Sequence, residues 1–272
     1  MKRIINYSPG RGPGLFLAIL PFLLIGFVYL TASEARLAVN PADKLMPSFS
    51  AFGAALSRMA LNVDPLSGQY LFWTDTYASL LRLVSSLLIS TLIGLVLGIV
   101  IGFIPYVKAS LSAVVAVVSL IPPLAILPIL FILFGLGEPA KLILMVIGVA
   151  PYIVRAVALS VGEMPKEQMI KAQTLGGSSW QMILRVVLPQ VMPRLIDMLR
   201  LSLGPAWLYL IAAEAISSEG GLGYRIFLVR RYLAMDVILP YVAWITLLAF
   251  LMDVALVAMQ RRCYPWYNPK EG

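Results

Sequence analysis

The sequence predicts an all-α polytopic membrane protein that crosses the bilayer about six times, and three features support this fold class. Hydrophobic residues make up 60% of the 272 residues and charged residues only 12%, against about a quarter charged in an average soluble domain. The apolar residues fall in long blocks, and about 20 apolar residues in a helix span the hydrocarbon layer. A helix also satisfies its own backbone hydrogen bonds inside lipid, so these blocks are expected to be helices.

The amino-terminal part of the chain holds one apolar block and one polar stretch. The block covers residues 15–32, and the polar stretch with its proline breakers covers residues 33–76. Basic residues precede the block, as in a signal peptide, but no small-residue cleavage pattern follows it. We therefore interpret the block as a retained span, with a signal anchor as the alternative. Residues 1–76 are predicted to form a transmembrane helix and an external, periplasmic loop.

The rest of the chain is a predicted membrane core at residues 77–260, followed by a short cytoplasmic tail at residues 261–272. Five apolar blocks of the core are each long enough to cross the bilayer as a helix. They cover approximately Tyr77–Ile104, Ser110–Phe134, Ala140–Ser160, Leu199–Ile216 and Ile238–Gln260.

The lysines and arginines between the blocks predict the orientation of the spans. When the spans alternate across the bilayer, one side receives the smaller basic group: Arg36, Lys44, Arg58, Arg225, Arg230 and Arg231. The opposite side receives the larger group: Lys2, Arg3, Arg11, Lys108, Lys166, Lys171, Arg185, Arg194, Arg261, Arg262 and Lys270. Because cytoplasmic connectors carry the basic excess, both termini are predicted to be cytoplasmic.

The composition also argues against several classes of function. The formal net charge of +8 comes from residues in the connectors, and no basic stripe is interleaved with aromatic residues, so nucleic-acid binding is rejected. The chain has no histidine and a single cysteine, Cys263, so we expect neither a metal site nor an internal disulfide. Without a nucleophile–base pair or clustered carboxylates, we expect no catalytic residues and no enzyme activity.

The connector at residues 161–198, predicted to be cytoplasmic, has the pattern of two short helices. Pro165 can open the first helix, which carries residues 166–175, and Gly176-Gly177 supplies a stop that tolerates left-handed dihedrals. Ser178 and the three residues after it have the spacing of a capping box. This box opens a second helix, which is expected to end near Pro189. We interpret this element as a docking site for a partner protein, with an amphipathic hairpin on the membrane surface as the alternative.

This connector resembles the EAA loop of permease subunits in type I ATP-binding-cassette (ABC) importers. That motif reads E-A-A, three residues, Gly, nine residues, an aliphatic residue, one more residue and Leu-Pro. The sequence departs from it at Ile170 and Lys171, which stand at the glutamate and the first alanine. The residues that match or flank the motif are Ala172, Gly176, Gly177, Val186, Leu188 and Pro189.

Other runs of the core are similar to one branch of that family, the permeases of nitrate, sulfonate and taurine importers. Several separate motifs agree in order and spacing, so the resemblance is more specific than the loop alone and extends over residues 75–258. The runs are Thr76–Arg82, Ser119–Pro128, Phe134–Glu138 with Lys141, Ala212–Glu214 and Gly221–Tyr224.

The resemblance implies a MetI-like type I ABC importer fold and a permease function in the bacterial inner membrane. In that family, two permeases form the pore, each cytoplasmic loop seats a coupling helix in an ATPase subunit, and a solute-binding protein delivers the substrate. The expected partners are therefore ABC ATPase subunits, a second permease copy in a homodimer, and a periplasmic or lipid-anchored binding protein. The chain has no G-x-x-x-x-G-K-[ST] phosphate loop, so we expect the partner ATPase to bind ATP and this chain to hold no cofactor.

The cargo implied by the resemblance is a small polar solute, either an anion like nitrate, a sulfonate or taurine, or a small nitrogenous organic compound. A secondary active transporter is the alternative function. It would need inverted repeats with broken helices at matching positions, and the sequence has only one proline-interrupted span.

Glycines and prolines single out two helices of the core. Gly94, Gly98 and Gly102 recur at four-residue spacing, which predicts close helix packing in lipid, within the chain or between subunits. Pro122, Pro123 and Pro128 interrupt an apolar block. Irregular backbone at membrane depth is tolerated where it is buried or lines a watery cavity, so these prolines are expected to line the translocation path or to form a simple kink.

Glu214 is the charged residue that we expect in the translocation path. It lies near the end of a predicted span and leads into the run Ser217–Gly223. An unpaired charge within the bilayer costs several kcal/mol. Glu214 is therefore predicted to line or gate the path, and half of a buried ion pair is the alternative.

Overall fold

The computed structural model describes residues 10–41, 43–65, 67–217 and 219–267, and the predicted all-α membrane fold is confirmed there. Five helices are long and apolar enough to cross a membrane, or six when one bent pair counts as a span. The predictions that concern Lys2, Arg3, Lys270 and the end of the tail lie outside the described residues. The helices are α1 (Arg11–Val39), α2 (Phe49–Ala60), α3 (Leu71–Phe103), α4 (Pro105–Val118), α5 (Pro123–Phe134), α6 (Glu138–Gly162), α7 (Lys166–Thr174), α8 (Ser179–Met182), α9 (Leu188–Ser217), α10 (Leu222–Arg230) and α11 (Met235–Cys263).

The stretch at residues 33–76, expected to be a polar loop, contains more helix than the sequence predicted. α1 continues to Val39, α2 occupies the middle, and α3 begins at Leu71. α2 is amphipathic, with Ala55 and Met59 on its buried face, and the Ser48 hydroxyl caps its first turn. Burial of this apolar face against neighbouring helices stabilises a segment of 12 residues, which is too short to be detected as a span.

The central pair of the fold is α3 and α6, which pack with their backbones close together. A Cβ atom placed on Gly94 would lie 2.3 Å from Cγ2 of Ile153. One added to Gly98 would lie 2.6 Å from Val157, and one added to Gly102 would lie 2.6 Å from Val161. The three glycines therefore face another helix of the same chain, and each accommodates a branched side chain of α6.

The block predicted as a single span at residues 110–134 is two helices, and that prediction is corrected. α4 and α5 meet at an angle of 91°. Pro122 is the N-cap of α5 and Pro123 is its first residue. Because neither proline can donate a backbone hydrogen bond to the preceding turn, α4 ends before them and a new helix begins.

The second helix of the 161–198 connector does not end near Pro189, as the sequence predicted. It runs from α8 through a π-helical turn at Ile183–Val187 directly into α9, and residues 179–216 form one candidate span. Pro189 cannot donate to the carbonyl of Arg185, four residues earlier. The π turn absorbs this missing bond by shifting to i→i−5 pairing, shown by the Leu188 N–H bonded to the Ile183 carbonyl.

The helix directions define two ends of the molecule. We call one of them the α7 end, because α7 lies there beside the last turns of α3 and α6 and the first turn of α9. We call the other the α10 end, because α10 lies there beside the first turns of α3 and α6 and the last turn of α9.

An ion pair links α9 to α11. The Nε atom of Arg200 and the Oδ1 atom of Asp253 lie 2.7 Å apart.

Candidate functional site

α7 begins and ends where the sequence predicted, because its stop signal is local. Pro165 is the N-cap residue, and Gly176 has φ +78°. The Gly176 N–H donates to the Gln173 carbonyl (2.9 Å) and the Gly177 N–H donates to the Ala172 carbonyl (3.0 Å). This is a Schellman motif, in which the left-handed residue satisfies the last carbonyls of the helix.

The chain then turns directly into α8 through the predicted capping box. The Ser178 hydroxyl accepts the N–H of Gln181 (3.3 Å), and the Gln181 side chain accepts the N–H of Ser178 (2.9 Å). A side chain on Gly177 has no room, since its Cβ would lie 2.8 Å from the Ala172 carbonyl oxygen. Two successive stops thus fix a tight helix–turn–helix hairpin, the α7–α8 hairpin (residues 166–182).

This hairpin presents a concave surface that carries exposed apolar side chains. Leu175 is 87% exposed and Trp180 is 66% exposed, although both are side chains that usually find a partner. Beside them lies an open cavity of about 430 Å³. Four of the six residues singled out in the sequence line it: Ala172, Gly176, Gly177 and Val186. Leu188 and Pro189 lie farther along, at the start of α9.

Contacts with the rest of the chain brace the base of the hairpin. Arg194 donates to Glu163 (2.9 Å) and Gln190 donates to Gln168 (2.9 Å), which ties α9 to both ends of the turn between α6 and α7. The carboxy-terminal segment adds Trp266 and Tyr267, which line a cavity of about 270 Å³ at the same place. Burial, followed by a hydrogen bond to Asp197, raises the pKa of the Tyr267 phenol. No sequence signal pointed to this contact of the tail.

A polar cluster at the α10 end, which we call the clasp, surrounds Glu214. The carboxylate is fully buried and accepts from the Ser79 hydroxyl (2.8 Å) and from Arg82 Nη1 (2.7 Å). The backbone N–H of Gly223 also donates to it, at 2.9 Å. Arg82 makes two further bonds of 2.7 Å to Glu138 at the start of α6. The clasp therefore joins α3, α6, α9 and α10.

A second ion pair holds the turn before α10. Asp75 accepts from Arg225 Nε (2.8 Å) and from the backbone N–H of Gly221 (2.9 Å). Burial alone lowers the pKa of Arg225, but the hydrogen bond and the charge of Asp75 outweigh this and raise the Arg225 pKa above its usual value. The hydroxyl of Ser79 accepts the N–H of Leu222 (2.8 Å), so the backbone from Gly221 to Gly223 is held by three acidic or hydroxyl side chains.

The expected path residues fall in different surroundings. Glu214 exposes none of its surface, so the structure places it inside the clasp, and its role in a path stays a prediction. Pro122 and Pro128 are exposed and Pro123 is half-buried, at and beyond the break between α4 and α5. Within the described ranges, no group of three or more Cys, Asp or Glu residues could hold a metal ion.

Comparison with known proteins decides the family. The family model described as "Binding-protein-dependent transport system inner membrane component" matches residues 75–268. The chain belongs to this family. The taurine transport system permease protein TauC of Escherichia coli (strain K12) is 35% identical over 196 residues, which cover 72% of this chain and 71% of that protein. The putative aliphatic sulfonates transport permease protein SsuC of the same organism is 31% identical over 56% of this chain and 59% of that protein.

A solved structure supports the fold independently. An inward-facing structure of the MetNI methionine ABC transporter has a TM-score of 0.64 and 22% identity, with 72% of this chain and 97% of that chain covered. The predicted MetI-like fold is confirmed, and so is the predicted function, a transmembrane permease subunit of an ABC importer. A secondary active transporter is not favoured.

The family match separates the parts of the permease. Both the clasp and the α7–α8 hairpin lie within the matched residues 75–268, and so does the carboxy-terminal segment at Trp266. α1 and α2 lie before the match. The permease thus has a matched core of helices from α3 to α11, to which an amino-terminal span and an amphipathic helix are added.

Proposed function

We propose that the permease docks a separate ATPase through its α7–α8 hairpin and, with a second permease chain, forms the path for a small polar solute. The observation that carries this proposal is the hairpin itself, an exposed helix that ends in a Schellman turn at Gly176 beside an open cavity. A partner can hold such an element as a rigid body, because its two ends are fixed by local hydrogen bonds and braced by α9.

The exposed side chains of the hairpin favour a protein partner over lipid. Leu175 and Trp180 offer apolar contact, while Lys166, Glu167 and Lys171 supply charges along α7. Polar and charged side chains make up most of α7, which therefore lacks the strong apolar stripe of a helix that lies in the membrane interface. This supports docking against the alternative of a hairpin lying on the membrane surface.

The orientation that we propose puts the α7 end and both termini in the cytoplasm. Arg185 and Arg194 follow the hairpin, and Arg261 and Arg262 lie in the last turn of α11. The basic excess thus collects at the end of the molecule that carries α7, as the positive-inside rule requires for a cytoplasmic face. The α10 end then faces the solute-binding protein.

A second permease chain is proposed because this chain has large exposed apolar faces and an exposed break before α5. On α5, Ile132 is 83% exposed and Leu133 is 69% exposed. Prolines at the break before α5 leave backbone groups that lipid cannot satisfy, so they belong beside protein or a watery cavity. A homodimer is the simplest arrangement that supplies both a protein surface and a watery cavity at this break.

The cargo that we propose is a small solute with a negatively charged oxygen group. The relatives are named for taurine and aliphatic sulfonates, which share a sulfonate, and the permease branch that the core motifs resemble also includes nitrate importers. A small nitrogenous organic compound is the second candidate. Delivery is assigned to a binding protein outside the membrane, in keeping with the description of the family.

Replacement of Gly176 by valine tests the docking proposal. A β-branched residue resists φ +78°, so the turn should open and α7 should lose its place. No atom lies within 4 Å of the added Cβ, so the effect comes from the backbone alone. Gly68→Val is the matched control, because Gly68 has φ +66° and equally open surroundings in the loop before α3.

The readouts are the amount of ATPase subunit that copurifies with the permease, and ATP-driven uptake. We expect Gly176→Val to lose the ATPase, or to lose uptake while ATP hydrolysis continues, and Gly68→Val to keep both. Normal assembly and uptake in Gly176→Val would refute docking at the hairpin. The mass of the detergent-solubilised complex tests the pairing, and a transport-competent particle with one permease chain would exclude it.

A further inference from the structure

A charged side chain lies on an exposed strip of α6, within the depth of the membrane. The strip consists of Tyr152, Arg155 and Leu159, all exposed. On one side of it, Arg155 Nη1 donates to the Ser119 hydroxyl (2.9 Å) at the end of α4. On the other side, the Tyr152 hydroxyl contacts the sulfur of Met198 in α9 (4.0 Å). The strip thus lies between the α4–α5 break and α9.

The position of Arg155 along α6 places its charge inside the hydrocarbon layer. It lies about 7.5 Å from the middle of the helix, at a rise of about 1.5 Å per residue. Half of the hydrocarbon layer is about 15 Å. A guanidinium at this depth is costly unless it faces protein, water or an anion.

Arg155 has no acidic partner in the part of the chain that the structure describes. No carboxylate oxygen lies within 4.0 Å of its nitrogens, whereas Arg82, Arg200 and Arg225 each pair with an acid. A single neutral hydroxyl leaves most of the five N–H donors of a guanidinium unused. The Lys108 ammonium lies between α4 and α6 toward the α7 end, 3.7 Å from where a Cβ on Gly162 would be. It adds a second positive charge between these helices.

We propose that Arg155 binds the oxyanion group of the cargo inside the translocation path. This inference rests on the proposed function, since it needs the exposed strip to line a path when a second permease chain covers it. A guanidinium binds sulfonate or carboxylate oxygens through paired hydrogen bonds, and such charge-assisted bonds are strong in a site with little water. The broken backbone between α4 and α5 forms one wall, and irregular backbone of this kind belongs at a watery cavity.

A lipid headgroup offers the same chemistry as the cargo, because a lipid phosphate is also an oxyanion. Two features favour the cargo. Arg155 lies on α6, the helix that packs against α3, α4, α5 and α9, rather than on an outer helix. Its side chain is also turned toward Ser119 at the break instead of extending toward the end of the helix.

The test uses the whole transporter with its ATPase and binding protein, in proteoliposomes of neutral lipid and of lipid with anionic headgroups. Taurine, methanesulfonate and nitrate are the probes. Arg155→Gln removes the charge, Arg155→Lys keeps it, and Arg261→Gln at the end of α11 is the control for net charge. We expect Arg155→Gln to lower uptake at least about tenfold in both lipids, Arg155→Lys to retain a part of it, and the control to transport normally.

The outcomes separate this inference from the proposed function. Absence of ATP-driven uptake of every probe by the wild type would sink the proposed oxyanion cargo, and the inference with it. Uptake by the wild type with an unchanged Arg155→Gln would overturn the inference alone. A loss confined to liposomes with anionic headgroups would also overturn it, because Arg155 would then bind lipid. Thermal stability measured on the same samples should stay within the wild-type range, since Arg155 is exposed and bonds only to Ser119 among the described residues.

Discussion

A Cβ atom on Gly221 would lie 2.5 Å from Oε1 of Glu214, so the buried carboxylate occupies the space beside the backbone of the turn before α10. Gly221 has φ +129° and ψ 164°, a region open to glycine and almost closed to other residues. The acid and the glycine therefore depend on each other. The acid lies close enough to accept the N–H of Gly223 only because residue 221 has no side chain.

Gly221→Ala should destabilise the α10 end of the permease. The backbone strain costs about 1–3 kcal/mol, and the collision with the Glu214 carboxylate adds to it. We expect a lower melting temperature of the detergent-solubilised complex and a lower yield of folded protein. Gly220→Ala is a suitable comparison, because its Cβ would meet no atom closer than 3.7 Å. Equal melting temperatures for the two variants would contradict the steric account.

The contact between α3 and α6 gives a second prediction. Gly94→Ala should cost about 1–3 kcal/mol, as overpacking of a close contact usually does, since its Cβ would lie 2.3 Å from Ile153. Ile153→Ala should restore part of this loss in the double variant, and the melting temperatures of the four proteins form a double-mutant cycle. Gly53→Ala in α2 is the control. Nothing lies within 4 Å of its Cβ, so alanine there should be neutral or slightly stabilising.

The coupling energy in that cycle is the decisive quantity. A value near zero, with Gly94→Ala as harmless as Gly53→Ala, would show that α3 and α6 do not approach each other closely at this level. A loss that appears only when two permease chains are assembled would instead place Gly94 at the subunit interface.

The ion pair between Asp75 and Arg225 gives a third prediction. Arg225→Gln leaves the carboxylate of Asp75, which is 3% exposed, with the Gly221 N–H, the Tyr241 hydroxyl at 3.4 Å and no cation. Breaking a buried pair by removal of one partner costs about 3–5 kcal/mol, and the 14% exposure of Arg225 puts this case toward the lower value. Arg231→Gln, at an exposed position just after α10, should leave the melting temperature unchanged. Equal stability of the two variants would mean that the pair does not hold the turn.

The parts of this permease that could be predicted from its sequence are those fixed by neighbouring residues. Pro165, Gly176 and the pairing of Ser178 with Gln181 each act within about one turn, so the stop of α7 and the start of α8 were predicted correctly. The clasp could not be predicted in the same way. Ser79 and Glu214 are 135 positions apart, and no local pattern says which distant charge meets which.

The second group of missed features arises where tertiary packing overrides a local signal. Pro189 signals the end of a helix, yet the π turn at residues 183–187 lets the helix continue into a span. α2 has too few apolar residues to be detected as a span and is stabilised by its contacts with α3 and α11. The 110–134 block is apolar, and its prolines marked an interruption of the helix. Neither feature showed that the chain turns by 91° there.

The last prediction concerns Glu214, for which the expected place in the path and the observed place in the clasp lead to different outcomes. Glu214→Gln removes the charge and replaces one accepting oxygen by an amide N–H₂. This group then faces an N–H donor of Arg82 or of Gly223, to which it cannot bond. If the clasp is its role, the variant should lose about 3 kcal/mol of stability, the lower end for a broken buried pair, because Arg82 keeps Glu138. Uptake per folded complex should then stay near the wild-type level.

A role in the path predicts the opposite pair of results, normal stability with uptake that falls or changes its pH dependence. Measurement of melting temperature and uptake on one preparation separates the two roles. Glu219→Gln is the control: it removes one carboxylate at the same end of the molecule, and Glu219 is exposed, so solvent should absorb most of the change. A Glu214→Gln variant that is both stable and fully active would defeat both roles. The buried carboxylate would then be replaceable by an amide that loses its bond to Arg82 or to Gly223.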